Sequence, residues 1–340
     1  MRRISLLILV GLLGLTQINC GSKSSPSAPV SSEASYSFIT DLSLAAGTPL
    51  SSNVPLGVAA SNGKIYVGYA DLSGVGNYYI SVFDRAGNFL AYFSPYSAYG
   101  DPIFAGGLSV DKFGHLYMAD YYNATIHSFN IDAIPATISG EAVTAAFTYN
   151  GICSPTDVKT DASGILYVAD SCGAIYSLYQ HGNNPGFGTS NVNGSVSING
   201  GDLGSGVSFS GPLGIAVNPA GTRIYVSEPQ FNVVQVYDGD FNWLSVIGDP
   251  SGAPSTATGK FDGPEAVALD NAGNLFVTDS NNSRVQEFSP SGAYLTSIGN
   301  TATSVSNGEL FFPVFPTLDE NNNLFVTEFY SARTFEYGLN

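Results

Sequence analysis

The stretch GNLFVTDSNNSRVQEFSPSGAYLTSIG, residues 273–299, contains three short apolar runs separated by polar turns. In each run, large apolar residues alternate with small or polar ones, and this period of two is typical of half-buried β-strands. Gly, Ser, Asn and Pro fill the intervals and favour tight turns. The stretch therefore predicts three antiparallel strands and no helix.

The first of these runs, LFVTD, has counterparts along the whole chain. By their last residues, the copies are IYVGY at Tyr69, LYMAD at Asp120, LYVAD at Asp170, IYVSE at Glu228, LFVTD at Asp279 and LFVTE at Glu328. Neighbouring copies are 49 to 58 residues apart. A repeat of about 50 residues is typical of propeller blades.

The fourth copy shows what one unit contains. Its apolar runs predict four strands, GPLGIAV (211–217), TRIYVSE (222–228), FNVVQVYD (231–238) and FNWLSVIG (241–248). In other copies, such as VDKFGHLYMAD and TDASGILYVAD, an Asp precedes the second strand. Its side chain can accept a hydrogen bond from the backbone two residues on, which stabilises a turn.

The two ends of the chain complete each other. The last copy ends at ARTFEYGLN after three strands, whereas YSFITDLSL (36–44) precedes the first copy and belongs to no complete unit. We expect this N-terminal strand to fill the last blade, since a closed ring leaves no long free sheet edge. The predicted fold is all-β, a six-bladed β-propeller of four-stranded antiparallel blades, closed by an N-terminal strand in the last blade.

The segments PLGVAA (55–60), GILYVAD (164–170) and SRVQEF (283–288) resemble the consensus of NHL repeats. The resemblance covers residues 36–340 and is closest in the fourth and fifth copies. The first copy lacks the acid, the second has GGLSV in place of P-x-G, and the sixth reads PVFPTLD. The resemblance implies a six-bladed propeller and little about activity, because such folds host many functions.

The N-terminus, MRRISLLILVGLLGLTQINC, has a basic start, an apolar core and a cysteine. The apolar core is too short to span a membrane and fits a signal peptide over residues 1–19. It resembles a bacterial lipoprotein signal, although Gln17 and Asn19 stand where an aliphatic and a small residue are usual. We expect a lipid on Cys20 and a flexible tether over residues 20–35. The alternative is an ordinary secretory signal with Cys20 near the cleavage point.

Charge excludes one class of partner. Residues 1–19 hold two of the 11 basic residues, so the mature chain would carry 27 acidic residues against nine basic ones. So negative a protein repels phosphates, and nucleic acid is excluded as a partner. Charged residues are only 11% of the chain and Gly is 39 of 340, a composition suited to many tight turns.

Enzymes with related propellers set a standard for catalysis. Peptidyl-hydroxyglycine lyases hold zinc with several histidines, gluconolactonase-like propellers hold calcium with acids and amides, and streptogramin lyase-like propellers rely on a histidine. The three histidines here are His115 in a turn, His127 in a third strand and His181 in an insert. None is on an innermost strand, so we expect no three-histidine zinc site and assign no cofactor. The sequence also contains no G-x-S-x-G, H-E-x-x-H or C-x-x-C motif.

The innermost strands are mostly small and apolar, with Thr156, Asp157 and Lys159 in blade three and Glu265 in blade five as exceptions. Asp157 and Glu265 follow Pro155 and Pro264 at the predicted channel mouth, where the two carboxylates could share Ca²⁺ or a sugar hydroxyl. The alternative is that Asp157 pairs with Lys159 or solvent. The acids that end the second strands are assigned to the fold, because the following turns leave backbone donors unpaired.

Aromatic residues are frequent in or near the loops after the second strands. The candidates for binding are Tyr78, Tyr79, Tyr121, Tyr122, Phe231, Phe329 and Tyr330. Such side chains can stack on sugars or anchor a protein partner. They can equally cover the seams between blades, and the sequence leaves both interpretations open.

A disulfide is predicted between Cys153 and Cys172. They flank a hairpin in which Asp161 would face Gly164, so that opposite residues have numbers summing to 325. The two cysteines would lie opposite each other, within the Cα separation that a disulfide needs, in an oxidising compartment. The alternative is a pair of reduced, buried thiols.

Together these patterns favour a non-enzymatic, monomeric protein of the bacterial cell envelope, lipid-anchored or secreted, whose propeller face binds a protein, peptide or glycan. Membrane contact would be made only through the lipid. The alternative is a lyase or lactonase-like enzyme with a divalent cation, such as Ca²⁺, at the channel mouth.

Overall fold

The computed structural model describes residues 36–42, 54–70, 78–96, 106–134, 139–178, 209–299, 309–331 and 333–339. The signal segment, Cys20, the tether and His181 lie outside these residues, so their assignments remain predictions. In the described residues, all regular structure is β-strand except three single-turn 3-10 helices, Ile131–Ala133, Pro229–Phe231 and Ser280–Asn282. None of the described helices has the length and apolar character needed to cross a membrane.

The described strands follow one another in short succession. In chain order they are β1 (Tyr36–Asp41), β2 (Val54–Ser61), β3 (Lys64–Ala70), β4 (Tyr78–Asp84), β5 (Phe89–Tyr96), β6 (Leu108–Val110), β7 (His115–Asp120), β8 (Thr125–Asn130), β9 (Ser139–Thr144), β10 (Phe147–Asn150), β11 (Pro155–Thr160), β12 (Leu166–Asp170), β13 (Ala174–Leu178), β14 (Ile215–Val217), β15 (Arg223–Glu228), β16 (Val233–Asp238), β17 (Trp243–Gly248), β18 (Pro264–Leu269), β19 (Leu275–Asp279), β20 (Arg284–Phe288), β21 (Tyr294–Ile298), β22 (Pro313–Leu318), β23 (Leu324–Glu328) and β24 (Thr334–Leu339).

These strands form six sheets, one for each copy of the repeat. Their innermost strands, β2, β6, β11, β14, β18 and β22, each contact the next, and β22 contacts β2 to close the ring. The structure is therefore the predicted six-bladed β-propeller. Strand β1 pairs antiparallel with β24, with Tyr36 opposite Leu339 and Asp41 opposite Phe335. Closure by an N-terminal strand in the last blade is confirmed.

Two blades depart from the predicted four strands. Blade three has three strands among the described residues, and residues 179–208 that follow them lie outside the description. Blade one has five, because β9 leaves blade two after its third strand and pairs parallel to β5. The segment SGEAVT of β9 carries no repeat signal, and the sequence analysis did not find this connection.

The core consists of apolar seams between neighbouring blades. Phe276 of blade five packs with Phe335 and Tyr337 of blade six, and Phe325 on the other side of blade six packs with Val67 of blade one. Burial of both faces of each sheet removes a large apolar area from water. The strand alternation seen in the sequence therefore reflects two buried faces, one toward each neighbour.

Short Asp-initiated turns connect the first and second strands. Asp111 accepts a hydrogen bond of 2.8 Å from the backbone of Phe113, and Asp161 one of 2.8 Å from Ser163. Asp319 makes the same turn in blade six. The predicted role of these acids is confirmed, and it fixes the hairpins that form the inner wall.

A bulge interrupts the inner strand directly after its first proline. In blade three, Pro155 pairs with Asp170 but Asp157 pairs with Ala169, so Thr156 is the extra residue. Similar register shifts follow the corresponding prolines of blades one, five and six. A bulge turns the extra side chain out of the ladder. Thus one residue per bulged blade points away from the regular sheet beside the channel.

Candidate functional site

The first strand of these blades begins, and the second ends, at the same end of the propeller. Pro155 lies opposite Asp170, Pro264 opposite Asp279, and Pro313 opposite the acid that ends β23. We call this end the upper face. It carries the inner-strand bulges and the loops in which the binding aromatics were predicted.

The acids that end the second strands hold the upper face together. Asp170, which is fully buried, accepts hydrogen bonds of 2.9–3.0 Å from the backbone of Cys153, Ser154 and Cys172. These donors precede the first strand and follow the second. The predicted structural role of the repeated acids is confirmed, because the carboxylate satisfies backbone groups that no strand pairs.

Blade five adds an arginine to this arrangement and blade four does not. Asp279 lies 2.7 Å from Arg284 and also accepts from Asn282. Glu228, at the same position of blade four, accepts one hydrogen bond, from the backbone of Ser210, and its other carboxylate oxygen has no partner among the described residues. Burial raises the pKa of Glu228 to about 8. Val233 stands where blade five has Arg284.

An aromatic cluster spans blades six, one and two on the upper face. We define it as Tyr78, Tyr121, Tyr122, Phe311, Phe312, Phe329 and Tyr330. Tyr78, Tyr121, Tyr122 and Phe329 pack on Val54 and Leu56 at the start of blade one. Tyr330 is 49% exposed, and its ring centre is 5.2 Å from those of both Phe312 and Phe329. The structure therefore joins five of the predicted aromatics into one surface.

Phe311 and Phe312 were not found from the sequence, and Phe312 has an unusual backbone. Its φ is +54°, a left-handed conformation that strains a bulky side chain. The corresponding residue, just before the proline, is Gly263 in blade five with φ +66°. A Cβ on Gly263 would lie 2.7 Å from Asn281, which is the counterpart of Tyr330. Blade six thus replaces a glycine–asparagine pair by a phenylalanine–tyrosine pair.

Two predicted aromatics lie outside this cluster. Tyr79 points to the opposite side of its strand from Tyr78, and its ring lies 5.8 Å from that of Tyr92 in the same blade. Phe231 belongs to the 3-10 helix after the second strand of blade four. Neither residue contacts the rings of the aromatic cluster, so in this structure they fit the interpretation of local packing.

Asp157 is bound within the channel wall. Its side chain is fully buried, with one oxygen 2.7 Å from Lys159 Nζ and the other 3.1 Å from the backbone nitrogen of Ile215. Burial raises the pKa of this carboxyl, and the Lys159 ammonium opposes the rise. A Cβ on Gly107 of blade two would lie 2.2 Å from the carboxylate. Asp157 therefore ties three blades together, which matches the alternative of pairing with Lys159.

Glu265 occupies a different position of the repeat. It directly follows Pro264, in the bulge of blade five, whereas Asp157 is two residues after its proline. Its side chain is partly buried, and burial alone raises its pKa to about 7. Without a compensating partner among the described residues, this carboxyl is available to a ligand at the channel mouth.

Two histidines are in the described part of the chain. His127 is buried, with Nε2 2.7 Å from Thr125 Oγ1 and Nδ1 2.9 Å from Thr148 Oγ1. His115 begins the second strand of blade two, and its Nδ1 is 2.9 Å from Asp111. Each ring is thus held by its own hydroxyl or carboxyl partners, and the two do not converge on one point.

Cys153 and Cys172 form a disulfide with a Cα–Cα distance of 6.0 Å. The reason differs in part from the predicted one. Within the hairpin, opposite residues sum to 326, as for Val158 and Val168, and only the bulge shifts the sum to 325 at Pro155. The same two sulfurs and Asp170 form the one group of three possible metal ligands in the described residues. Because the sulfurs are bonded to each other, this group is a covalent clamp and not a metal centre.

The fold and these sites place the chain among known propellers. Residues 261–288 match the model of the NHL repeat, and the chain is a six-bladed β-propeller that carries this repeat. No protein with a curated description matches the chain in sequence.

Similar solved structures agree on the architecture. A protein of unknown function from Bacteroides thetaiotaomicron has a TM-score of 0.65 at 13% identity, covering 88% of this chain and 72% of that one. A streptogramin B lyase has a TM-score of 0.53 at 11% identity, covering 91% and 98%. A gluconolactonase from Xanthomonas campestris has a TM-score of 0.54 at 14% identity, covering 85% and 87%. At such identities the similarity shows the fold alone.

Proposed function

We propose that this chain is a non-enzymatic binding protein of the bacterial cell envelope, anchored by a lipid on Cys20 or secreted. Its upper face binds a protein, peptide or glycan. The observation that supports this most is the replacement of Gly263 and Asn281 of blade five by Phe312 and Tyr330 in blade six.

Backbone strain makes this replacement informative. A bulky residue at positive φ destabilises a protein by about 1–3 kcal/mol and persists where the site has a use for it. Glycine would satisfy the same turn, as it does in blade five at φ +66°. The ring of Phe312 instead lies against Tyr330, which is 49% exposed. Folding alone does not require such a pair on the surface.

The composition of the cluster suits recognition. Large aromatic rings supply contact area with few rotatable bonds, and residues of this type dominate the energetics of many interfaces. The rings also have apolar support beneath them, since Tyr121 and Tyr122 pack on Leu56. A supported surface loses little conformational entropy when a ligand binds.

The test is to convert blade six into a copy of blade five at this point. The double variant Phe312→Gly, Tyr330→Asn introduces residues that the fold already accepts at these positions. The purified chain would be screened on a glycan array, against a peptide library and in pull-downs from envelope extract. We expect a ligand that the double variant loses by at least about tenfold in affinity, with the melting temperature preserved. Equal binding by both proteins would contradict the proposal.

A second candidate is a divalent-cation-dependent enzyme of the lyase or lactonase type. The observation that favours it is Glu265, an uncompensated carboxyl beside the channel with a pKa near neutrality, as general acids and bases often have. Elemental analysis of the purified protein tests it. Near-stoichiometric calcium or zinc that disappears in Glu265→Gln would favour the enzyme over the binding protein.

A further inference from the structure

Glu265 has charge without a partner in a protein that otherwise pairs its buried charges. At the upper face, Arg284 is bound to Asp279 and Lys159 to Asp157. Glu265 makes no hydrogen bond or ion pair within the described part of the chain, and burial is the only cause of its raised pKa. A half-buried carboxylate of this kind gains most from a cationic partner, which restores the interactions that water supplied.

The charges on the neighbouring elements leave this need unmet. Strand β18, which holds Glu265, packs against β14, β15, β19 and β22. Their charged residues are Arg223 at the far end of β15, and Glu228 and Asp279 at the upper face. Both acids are fully buried. A net charge of −16 for the whole chain adds a long-range attraction for cations.

Glu265 is also close to the aromatic cluster along the ring. Blade six follows blade five, and the two are joined at the upper face by side chains of blade five. Thr278 Oγ1 donates to Val314 O at 2.8 Å, and Ser280 Oγ to Pro313 O at 2.5 Å. Pro313 directly follows Phe312. One ligand of a few residues can therefore contact both the rings and the carboxylate.

We propose that the ligand of the upper face is a peptide segment that presents a lysine or arginine side chain. Its cationic head pairs with Glu265 at the channel mouth, and its backbone and apolar stem lie on the aromatic cluster. This inference rests on the proposed binding function and names the partner class for it. Aromatic faces attract cations as well as apolar groups, so rings and carboxylate favour the same ligand.

A displayed library of random heptapeptides, selected on the purified full chain, tests this inference. We expect selected peptides to share a lysine or arginine at one position. Replacement of that residue by norleucine, which keeps the stem and removes the charge, should lower affinity by about tenfold or more. Glu265→Gln should lower it similarly, and norleucine should then have little further effect. Asp262→Asn, a change of equal charge on the same blade, should leave affinity unchanged.

The outcomes separate this inference from the proposed function. Selected peptides without a basic residue, or peptides bound equally well by Glu265→Gln, would overturn the cationic anchor. Glycan binding that depends on Phe312 and Tyr330, without peptide binding, would overturn it too and leave the binding function in place. If neither peptides nor glycans bind, or the double variant binds them unchanged, the proposed function itself fails. The norleucine comparison uses only wild-type protein and does not depend on the folding of a variant.

Discussion

Blades five and six share a buried plan and differ on their exposed side. Both end the second strand with a buried acid next to an arginine, Asp279 with Arg284 and Glu328 with Arg333. At the surface, blade five has Gly263 beside Asn281, whereas blade six has Phe312 beside Tyr330.

This difference shows how a repeat divides its tasks. The buried acid closes the loop because it accepts backbone hydrogen bonds that the strands leave open, and that need is the same in each blade. The two exposed positions are free of it, so their side chains can vary with function. Repeats of one chain thus serve as internal controls for each other.

The largest effect is expected from breaking the shared plan. In blade five, Arg284 is 8% exposed, lies 2.7 Å from Asp279 and donates to the carbonyl of Ala257 at 2.9 Å. Arg284→Met leaves a buried carboxylate uncompensated and should lower the free energy of unfolding by about 3–5 kcal/mol. Arg333→Met should lower it less, since Arg333 is more exposed and 3.4 Å from Glu328.

Urea denaturation of both variants measures this difference. The midpoint should move while the slope stays constant, which would indicate a change in stability and not in the unfolded state. An Arg284→Met protein as stable as wild type would show that the pair is dispensable in blade five.

Blade three reaches the same end with a disulfide. The backbone donors of Cys153 and Cys172 both point at Asp170, so the bond holds the acid's partners in place. Cys153→Ser with Cys172→Ser should lower the free energy of unfolding by about 3 kcal/mol, from loop closure in the unfolded chain. Comparison of oxidised and reduced wild type supplies the control. A double variant that melts with the oxidised protein would contradict the expectation.

Much of this plan could be predicted from sequence because it repeats. The alternation in LFVTD and its counterparts, and the missing fourth strand after residues 333–339, sufficed for blade number and closure. The parallel strand β9 was missed, since a pairing between blades leaves no local period. The partners of Asp157 were only partly found: Lys159 is two residues away, but Ile215 belongs to another blade.

The aromatic cluster was found in part for a similar reason. Tyr121, Tyr122 and Tyr330 stand out in their loops, whereas Phe311 and Phe312 read as an ordinary apolar run before a strand. The signal that could have found them is the repeat itself. FSGP in blade four and FDGP in blade five become LFFP in blade six, so a bulky residue occupies a glycine position.

Blade four extends the comparison to a blade without the arginine. The folded protein holds the Glu228 proton more tightly than the unfolded chain does, with a pKa raised from 4.5 to about 8. This contribution to stability is complete below pH 4.5 and is lost as the pH rises through about 8. Glu228→Gln should therefore be more stable than wild type at pH 8, by roughly 2 kcal/mol.

Thermal unfolding of the two proteins at pH 5 and pH 8 measures this change. The gain should be larger at pH 8 than at pH 5, because glutamine cannot ionise. Glu228→Asp keeps the charge and is the control. A difference that is the same at both pH values would assign the effect to packing and not to the buried charge.

The smallest expected effect on stability belongs to the position where the blades differ most. Phe312→Gly removes the strain of a φ of +54°, which by itself stabilises by about 1–3 kcal/mol. It also adds backbone freedom to the unfolded chain and removes the ring contacts with Phe312, each destabilising by about 1 kcal/mol. These terms oppose each other, so we expect the free energy of unfolding to change by less than about 1 kcal/mol. Gly263→Ala in blade five is the matched control and should be clearly destabilising, since its Cβ would lie 2.7 Å from Asn281. A Phe312→Gly protein that unfolds as readily as a core variant would show that this ring serves the fold and not a ligand.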